Sequence, residues 1–97
     1  MKKGYWIVAY HSVSDESAMR EYAPLALTAI EAHGGRPLVR TSEAIEPHEA
    51  GLKQRTVVME FESFDKAKEA YASEAYRKAL AVLGDCAERD FRIVEGV

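Results

Sequence analysis

Arg55-Thr56-Val57-Val58-Met59-Glu60-Phe61-Glu62-Ser63-Phe64 is the stretch whose reading decides the fold. Its β-branched and aromatic residues suit a pleated surface, and its apolar run is too short for an independent helix. Side chains alternate along a strand, so Val57, Met59 and Phe61 share one face and Thr56, Val58 and Glu60 the other. The first set is wholly apolar and belongs against helices. The second mixes apolar groups with a carboxylate, which suits neither open solvent nor a dry core. Ser63 then offers an N-cap oxygen, and Asp65 favours a helix first turn.

Working outward, Gly4 to His11 (Gly-Tyr-Trp-Ile-Val-Ala-Tyr-His) is expected to be the first strand. Tyr5, Ile7, Ala9 and His11 line one face; Trp6, Val8 and Tyr10 line the other. A helix follows the polar turn Ser12–Asp15 and runs to about His33. Met19, Tyr22, Ala26, Ile30 and His33 recur on one of its faces. Pro24 predicts a kink or break near Arg20 to Ala23, and Gly34-Gly35 ends the helix. Arg36 to Ile45 is the second strand, placed at a sheet edge by Pro37. Glu46 to Gly51 forms a polar hairpin loop. Phe64 to about Leu83 is helical in two pieces, with Ser73 as a fresh N-cap, and Glu88 to Glu95 is the last strand.

This βαββαβ order predicts one ferredoxin-like α+β domain over residues 1–97, a four-stranded antiparallel sheet with two helices on one face. Two helices cover one face only, yet the first strand is apolar on both. Trp6, Val8 and Tyr10, with Val58 and Val94, form a patch larger than a soluble monomer usually exposes. Pairing of two copies, sheet against sheet, is the expected solution. Either parity of the first strand could meet the partner; the smaller Ala9 suits close helix packing, which favours the Trp6–Val8–Tyr10 face for the partner.

The chain has 97 residues, a net charge of −3 and one cysteine, Cys86. The acidic balance argues against nucleic-acid and anionic-membrane partners. No apolar run is long enough to span a bilayer. The opening Met-Lys-Lys-Gly-Tyr-Trp lacks a signal-peptide core, so a cytoplasmic protein is expected. A lone cysteine forms no internal disulfide and has no activating partner in sequence. An RNA-recognition module shares the element order, but its central strand needs a Lys/Arg-Gly-Phe/Tyr-Gly/Ala-Phe pattern that is absent.

Gly4-Tyr5-Trp6-Ile7-Val8, His33-Gly34-Gly35-Arg36-Pro37-Leu38-Val39-Arg40, Val57-Val58-Met59-Glu60-Phe61, Ser73-Glu74-Ala75-Tyr76 and Ile93-Val94-Glu95-Gly96 together resemble a bacterial family of unknown function. It is the one numbered thirteen-thirty among the domains of unknown function. The resemblance covers nearly the whole chain, and His-Gly-Gly-Arg is its most specific piece. It implies the dimeric α+β barrel superfamily, in which two ferredoxin-like subunits close a barrel between their sheets. It brings no established activity. Relatives in the wider superfamily include cofactor-independent monooxygenases, small isomerases and haem-degrading proteins.

Candidate chemistry centres on Glu60. In a partly dry barrel interior its pKa rises and it serves as a proton acceptor; the structural alternative is an ion pair with Arg40 or Arg92. His11, ending the first strand, is a second candidate base or a solvated strand end. Arg36 and Arg40, four apart on one strand face, suit an anionic ligand or pairing with Glu60, Glu43 or the partner subunit. Trp6, Tyr10 and His33 complete the candidate ligand contacts, although His33 also suits the helix dipole. Tyr22, Tyr71 and Tyr76 are expected in the helix core or rim. His11, His33, His48 and Cys86 show no metal-ligand spacing, and no cofactor is expected. The sequence thus supports a homodimer binding a small, partly apolar molecule between sheet and helices. Its alternatives are a cofactor-free monooxygenase or isomerase using Glu60 or His11, and a structural dimer without ligand.

Overall fold

The computed structural model describes residues 1–97. Its elements are β1 (Gly4–Val13), α1 (Glu16–Ala32), β2 (Arg36–Thr41), β3 (Thr56–Phe61), α2 (Phe64–Ala72), α3 (Glu74–Leu83) and β4 (Ala87–Glu95). The four strands form one antiparallel sheet in the order β2-β3-β1-β4. The two most apolar strands are central, and Pro37 sits on an edge strand where its missing N–H costs no ladder bond.

Each helix start follows from a side-chain cap. Asp15 accepts from the amides of Ser17 and Ala18, Ser63 from Lys66, and Ser73 from Tyr76. The Ser73 cap divides the second helical region into α2 and α3. His33 caps α1 at its C-terminus, and Gly34 follows at φ 75°, a left-handed conformation that glycine takes without strain. The expected break at Pro24 does not occur: α1 is continuous through it. Pro24 lies on the exposed side of α1, where water can take the carbonyl left without its amide, and the Thr28 hydroxyl donates to the Pro24 carbonyl at 2.9 Å. Strand β2 ends at Thr41 rather than Ile45. The Thr41 hydroxyl accepts from the amides of Glu43 and Ala44, and this local turn competes with the ladder.

The core lies between the sheet and the helices. The helices contribute Ala29, Ala67, Ala70 and Ala79, all fully buried, interspersed with buried Met19, Tyr22, Ile30, Tyr76 and Leu83. The sheet supplies Trp6, Val8 and Tyr10 from β1, and Val57, Met59 and Phe61 from β3, all buried. Trp6 is the hub. Its ring centroid lies 5.1 Å from Phe61, 4.9 Å from Tyr76 and 5.1 Å from Phe91, and its indole N–H donates to the Ala67 carbonyl at 2.8 Å. The expectation that Trp6, Val8 and Tyr10 meet a partner is therefore corrected. Buried alanines on the helices leave room for the Trp6 indole beside Tyr76, and its N–H finds the Ala67 carbonyl, so the Trp6 face turns inward and Tyr5, Ile7 and Ala9 turn outward.

Candidate functional site

A cavity of about 40 Å³ lies between the sheet and α1. Eleven of its fourteen lining residues are hydrophobic, among them Trp6, Val8, Tyr10, Val57 and Met59 from the sheet and Tyr22, Ala26 and Ile30 from α1. The other three are Arg40, Arg55 and Arg89. No carboxylate lines it.

Strand register explains the convergence of the arginines. Tyr10 pairs with Arg89 across β4, and the Tyr10 amide donates to the Arg55 carbonyl at 3.0 Å. Arg55, Tyr10 and Arg89 thus form one cross-strand row. The next row on the same face reads Arg40, Val57, Val8 and Phe91. The guanidinium carbons of Arg55 and Arg89 lie 5.9 and 5.5 Å from the Tyr10 ring centroid. The two charges are therefore at most about 11 Å apart, and at that limit they repel by about 1.5 kcal/mol at an effective dielectric near 20. Neither has a carboxylate partner: the ion pairs of the protein involve Arg36, Arg92, lysines and histidines instead. Arg55 Nε is buried without a hydrogen-bond partner. Arg89 donates to the Tyr22 hydroxyl at 3.1 Å, and that hydroxyl lies 2.6 Å from the Tyr76 hydroxyl. Burial pushes both phenols above their ordinary range, so both are protonated at neutral pH.

The two faces separate the remaining candidates. Arg36 and Arg40 do not share a face, contrary to expectation. The β2–β3 register shifts between Pro37 and Val39, so Arg36 stands opposite Glu60 and Arg40 opposite Val57. A β-bulge admits one extra residue and so reverses the alternation. Arg40 therefore reaches the helix-side cavity and Arg36 the outer face.

On that outer face Glu60 is held by Arg36, with Nη2 at 2.9 Å and Nε at 3.0 Å, and by the Tyr5 hydroxyl at 3.2 Å. The hydrogen bond from Arg36 holds the Glu60 carboxyl below its ordinary range, prevailing over burial, and Tyr5 adds to the effect. The expected rise in the Glu60 pKa is corrected; the ion-pair alternative holds, with Arg36 as the partner rather than Arg40 or Arg92. Arg92 instead makes a two-bond pair with Asp90, at 3.0 and 3.1 Å. Glu60 borders a wide polar groove with Lys3, Gly34, Arg36 and Glu62, not a dry pocket.

His11 is exposed at the β1 bulge, its Nδ1 3.6 Å from a Glu88 carboxylate oxygen. His33 turns its Nδ1 onto the Ala29 carbonyl of its own helix at 2.9 Å. Neither lines the cavity. Cys86 is buried, and burial pushes its thiol up. No group of three or more His, Cys, Asp or Glu side chains comes together as a metal site. Trp6, Tyr10 and Arg40 are the sequence candidates that the fold brings together at the cavity. Sequence reasoning missed Arg55 and Arg89. Arg89 was legible in principle, since it alternates with Phe91 and Ile93 on the apolar face of β4.

Comparison with known proteins places this architecture. The family model described as a domain of unknown function, DUF1330, matches residues 3–97. The chain belongs to this family. Solved structures share its fold. One is a protein of unknown function from Rhodopseudomonas palustris, 12% identical, with a TM-score of 0.72 over 99% of this chain and 83% of that one. Another, from Nitrosomonas europaea, is described provisionally as an antibiotic biosynthesis monooxygenase. It is 14% identical, with a TM-score of 0.63 over 98% of this chain and 90% of that one. A nipsnap family protein of unknown function from Agrobacterium tumefaciens is 16% identical, with a TM-score of 0.58 over 98% and 88%. No curated protein matches the sequence. The DUF1330 chain thus has the ferredoxin-like α+β fold that these solved structures share. None of its helices is long and apolar enough to cross a membrane.

Proposed function

We propose that this DUF1330 protein is a cytoplasmic homodimer that binds a small, partly apolar molecule between its sheet and α1. The observation that carries the reading is the helix-side cavity, apolar in its walls and walled by aromatic rings on the sheet side. A few polar groups set into a mostly apolar concavity are the usual make-up of a ligand site. The enclosed space of about 40 Å³ is little more than one water's share of liquid volume. The ligand is therefore slim, planar or unbranched, and half-buried Ala23 and Leu27 yield as it enters.

The outer face supports the dimer. Tyr5, Ile7, Ala9, Val58 and Val94 alternate onto it from the three strands β1, β3 and β4, and Val39 adds to it from the edge. These side chains are only half-buried, or exposed, in the single chain. The Arg36–Glu60–Tyr5 and Asp90–Arg92 groups on the same face are already paired internally, so a second copy covers them without leaving a bare charge.

Proton transfer by Glu60 or His11 is the weaker reading. Glu60 is locked to Arg36 on the face away from the cavity, and His11 stands in solvent. Native mass spectrometry of the protein purified from its own host tests the proposal. The expected species is two chains retaining a small organic molecule. A dimer with no retained molecule, and no ligand found by screening, points to a purely structural dimer; a bare monomer at micromolar concentration overturns both parts.

A further inference from the structure

We propose that the ligand of this cavity is an organic anion, a carboxylate or an enolate on a slim apolar body, and that Arg55, Arg89 and Arg40 recognise its charged end. The inference rests on the cleft-binding reading and adds the chemical class of the ligand.

Four observations carry it. Three arginines are the only charged residues lining a cavity otherwise made of hydrophobic side chains. The chain holds sixteen carboxylates, yet none reaches these arginines as an ion-pair partner. Arg36 and Arg92, on the outer face, each take a carboxylate, whereas the three arginines that converge on the cavity take none. Arg55 Nε is buried with its N–H unanswered, a condition that native proteins rarely tolerate without an absent partner. The guanidinium group is a planar fork of donors matched to carboxylate geometry.

The arrangement also sets the ligand's orientation. Arg55 and Arg89 flank Tyr10, and Arg40 stands one row nearer the middle of the sheet. The connection between β2 and β3 starts just after Arg40 and ends at Arg55, so the charged end of the cavity adjoins this loop. The anionic group sits at that end. The apolar body runs towards Met59 and Ile30, which line the cavity beyond the arginine rows. Arg89 is itself fixed by the Tyr22 hydroxyl, with Tyr76 behind it, so the fork is oriented before the ligand arrives.

A matched pair of probes separates charge from shape: benzoate and its neutral isostere benzamide. Binding is followed by calorimetry and by the fluorescence of Trp6, the single tryptophan, which lines the cavity. Benzoate is expected to bind at least tenfold more tightly than benzamide. Arg89→Met and Arg40→Gln are each expected to weaken benzoate at least tenfold and leave benzamide unchanged, with Arg89→Lys restoring part of the loss. Arg77→Gln, on the exposed face of α3, controls for overall charge and is expected to have no effect. Arg40 is exposed on an edge strand, so its variant keeps the test open if Arg89→Met unfolds. Equal binding of the two probes overturns the anion inference and leaves the cleft reading standing. Binding of neither probe at millimolar concentration overturns both. Loss of benzoate binding in Arg77→Gln as large as in Arg40→Gln also overturns the inference.

Discussion

Replacing Trp6 by Phe tests which face of β1 the chain buries for itself. The indole is 2% exposed, touches three aromatic rings at centroid distances near 5 Å and donates to the Ala67 carbonyl. Losing a buried hydrogen bond costs about 1 kcal/mol. The smaller ring leaves a void whose lost contacts cost about 1–2 kcal/mol more. A total of about 2–3 kcal/mol is a large fraction of the 5–15 kcal/mol typical of a domain. It lowers Tm by about 10–20 °C at this chain length. The assay is thermal and urea denaturation followed by far-ultraviolet circular dichroism. It is run in the native sequence and again with Ile7→Lys, which sets a charge in the proposed sheet-to-sheet interface. The loss is expected at full size in both, because Trp6 packs within its own chain. A substitution that is neutral in the Ile7→Lys background refutes the reasoning, since Trp6 would then be packing against the partner.

Ile7→Lys by itself is expected to give a folded monomer in sedimentation, since Ile7 is only half-buried in the single chain; a persistent dimer contradicts the proposed interface. Glu60 has a folded-state pKa below its ordinary value of 4.5. Its contribution is therefore present above the ordinary carboxylate pKa and lost as pH falls through the lowered one. Glu60→Gln is expected to flatten the acid limb of the Tm-against-pH profile and leave the limb above neutrality unchanged; an unchanged acid limb refutes the pairing. Gly35→Ala places a Cβ 2.5 Å from a Phe61 ring carbon and 2.6 Å from an Ile30 methyl, an overpacking expected to cost about 1–3 kcal/mol. The Cβ of Gly4→Ala runs into the Ser63 carbonyl oxygen. Backbone gives less readily than a side chain, so denaturant titration is expected to show the larger loss for Gly4→Ala.

Element order, edge placement and helix division were legible because each rests on local chemistry. Pro37 marks an edge, Ser73 a cap, and Val57, Met59 and Phe61 one apolar face. Orientation was not legible where both parities of a strand are apolar. In β1 the choice between Trp6 and Ile7 as the inward residue is settled across the core, by the space over Ala67 and beside Tyr76 that receives the indole. The bulge between Pro37 and Val39 was equally hidden, and it undid the expectation that Arg36 and Arg40 act together. Candidate residues followed the same divide. Glu60 and His11 stood out as titratable groups and an arginine was foreseen for Glu60, but the choice of Arg36, and of Glu88 for His11, is made across strands. Arg55 and Arg89 lie 34 positions apart and meet only through the pairing of β1 with both neighbours.

A crystal structure grown in the presence of benzoate tests the central claim most directly. The account predicts a carboxylate within hydrogen-bonding distance of the Arg89 or Arg55 guanidinium, its ring against Trp6 and Met59 between the sheet and α1. Benzoate found only on the outer face or among lattice contacts, with the helix-side cavity closed over the same three unpaired arginines, contradicts it.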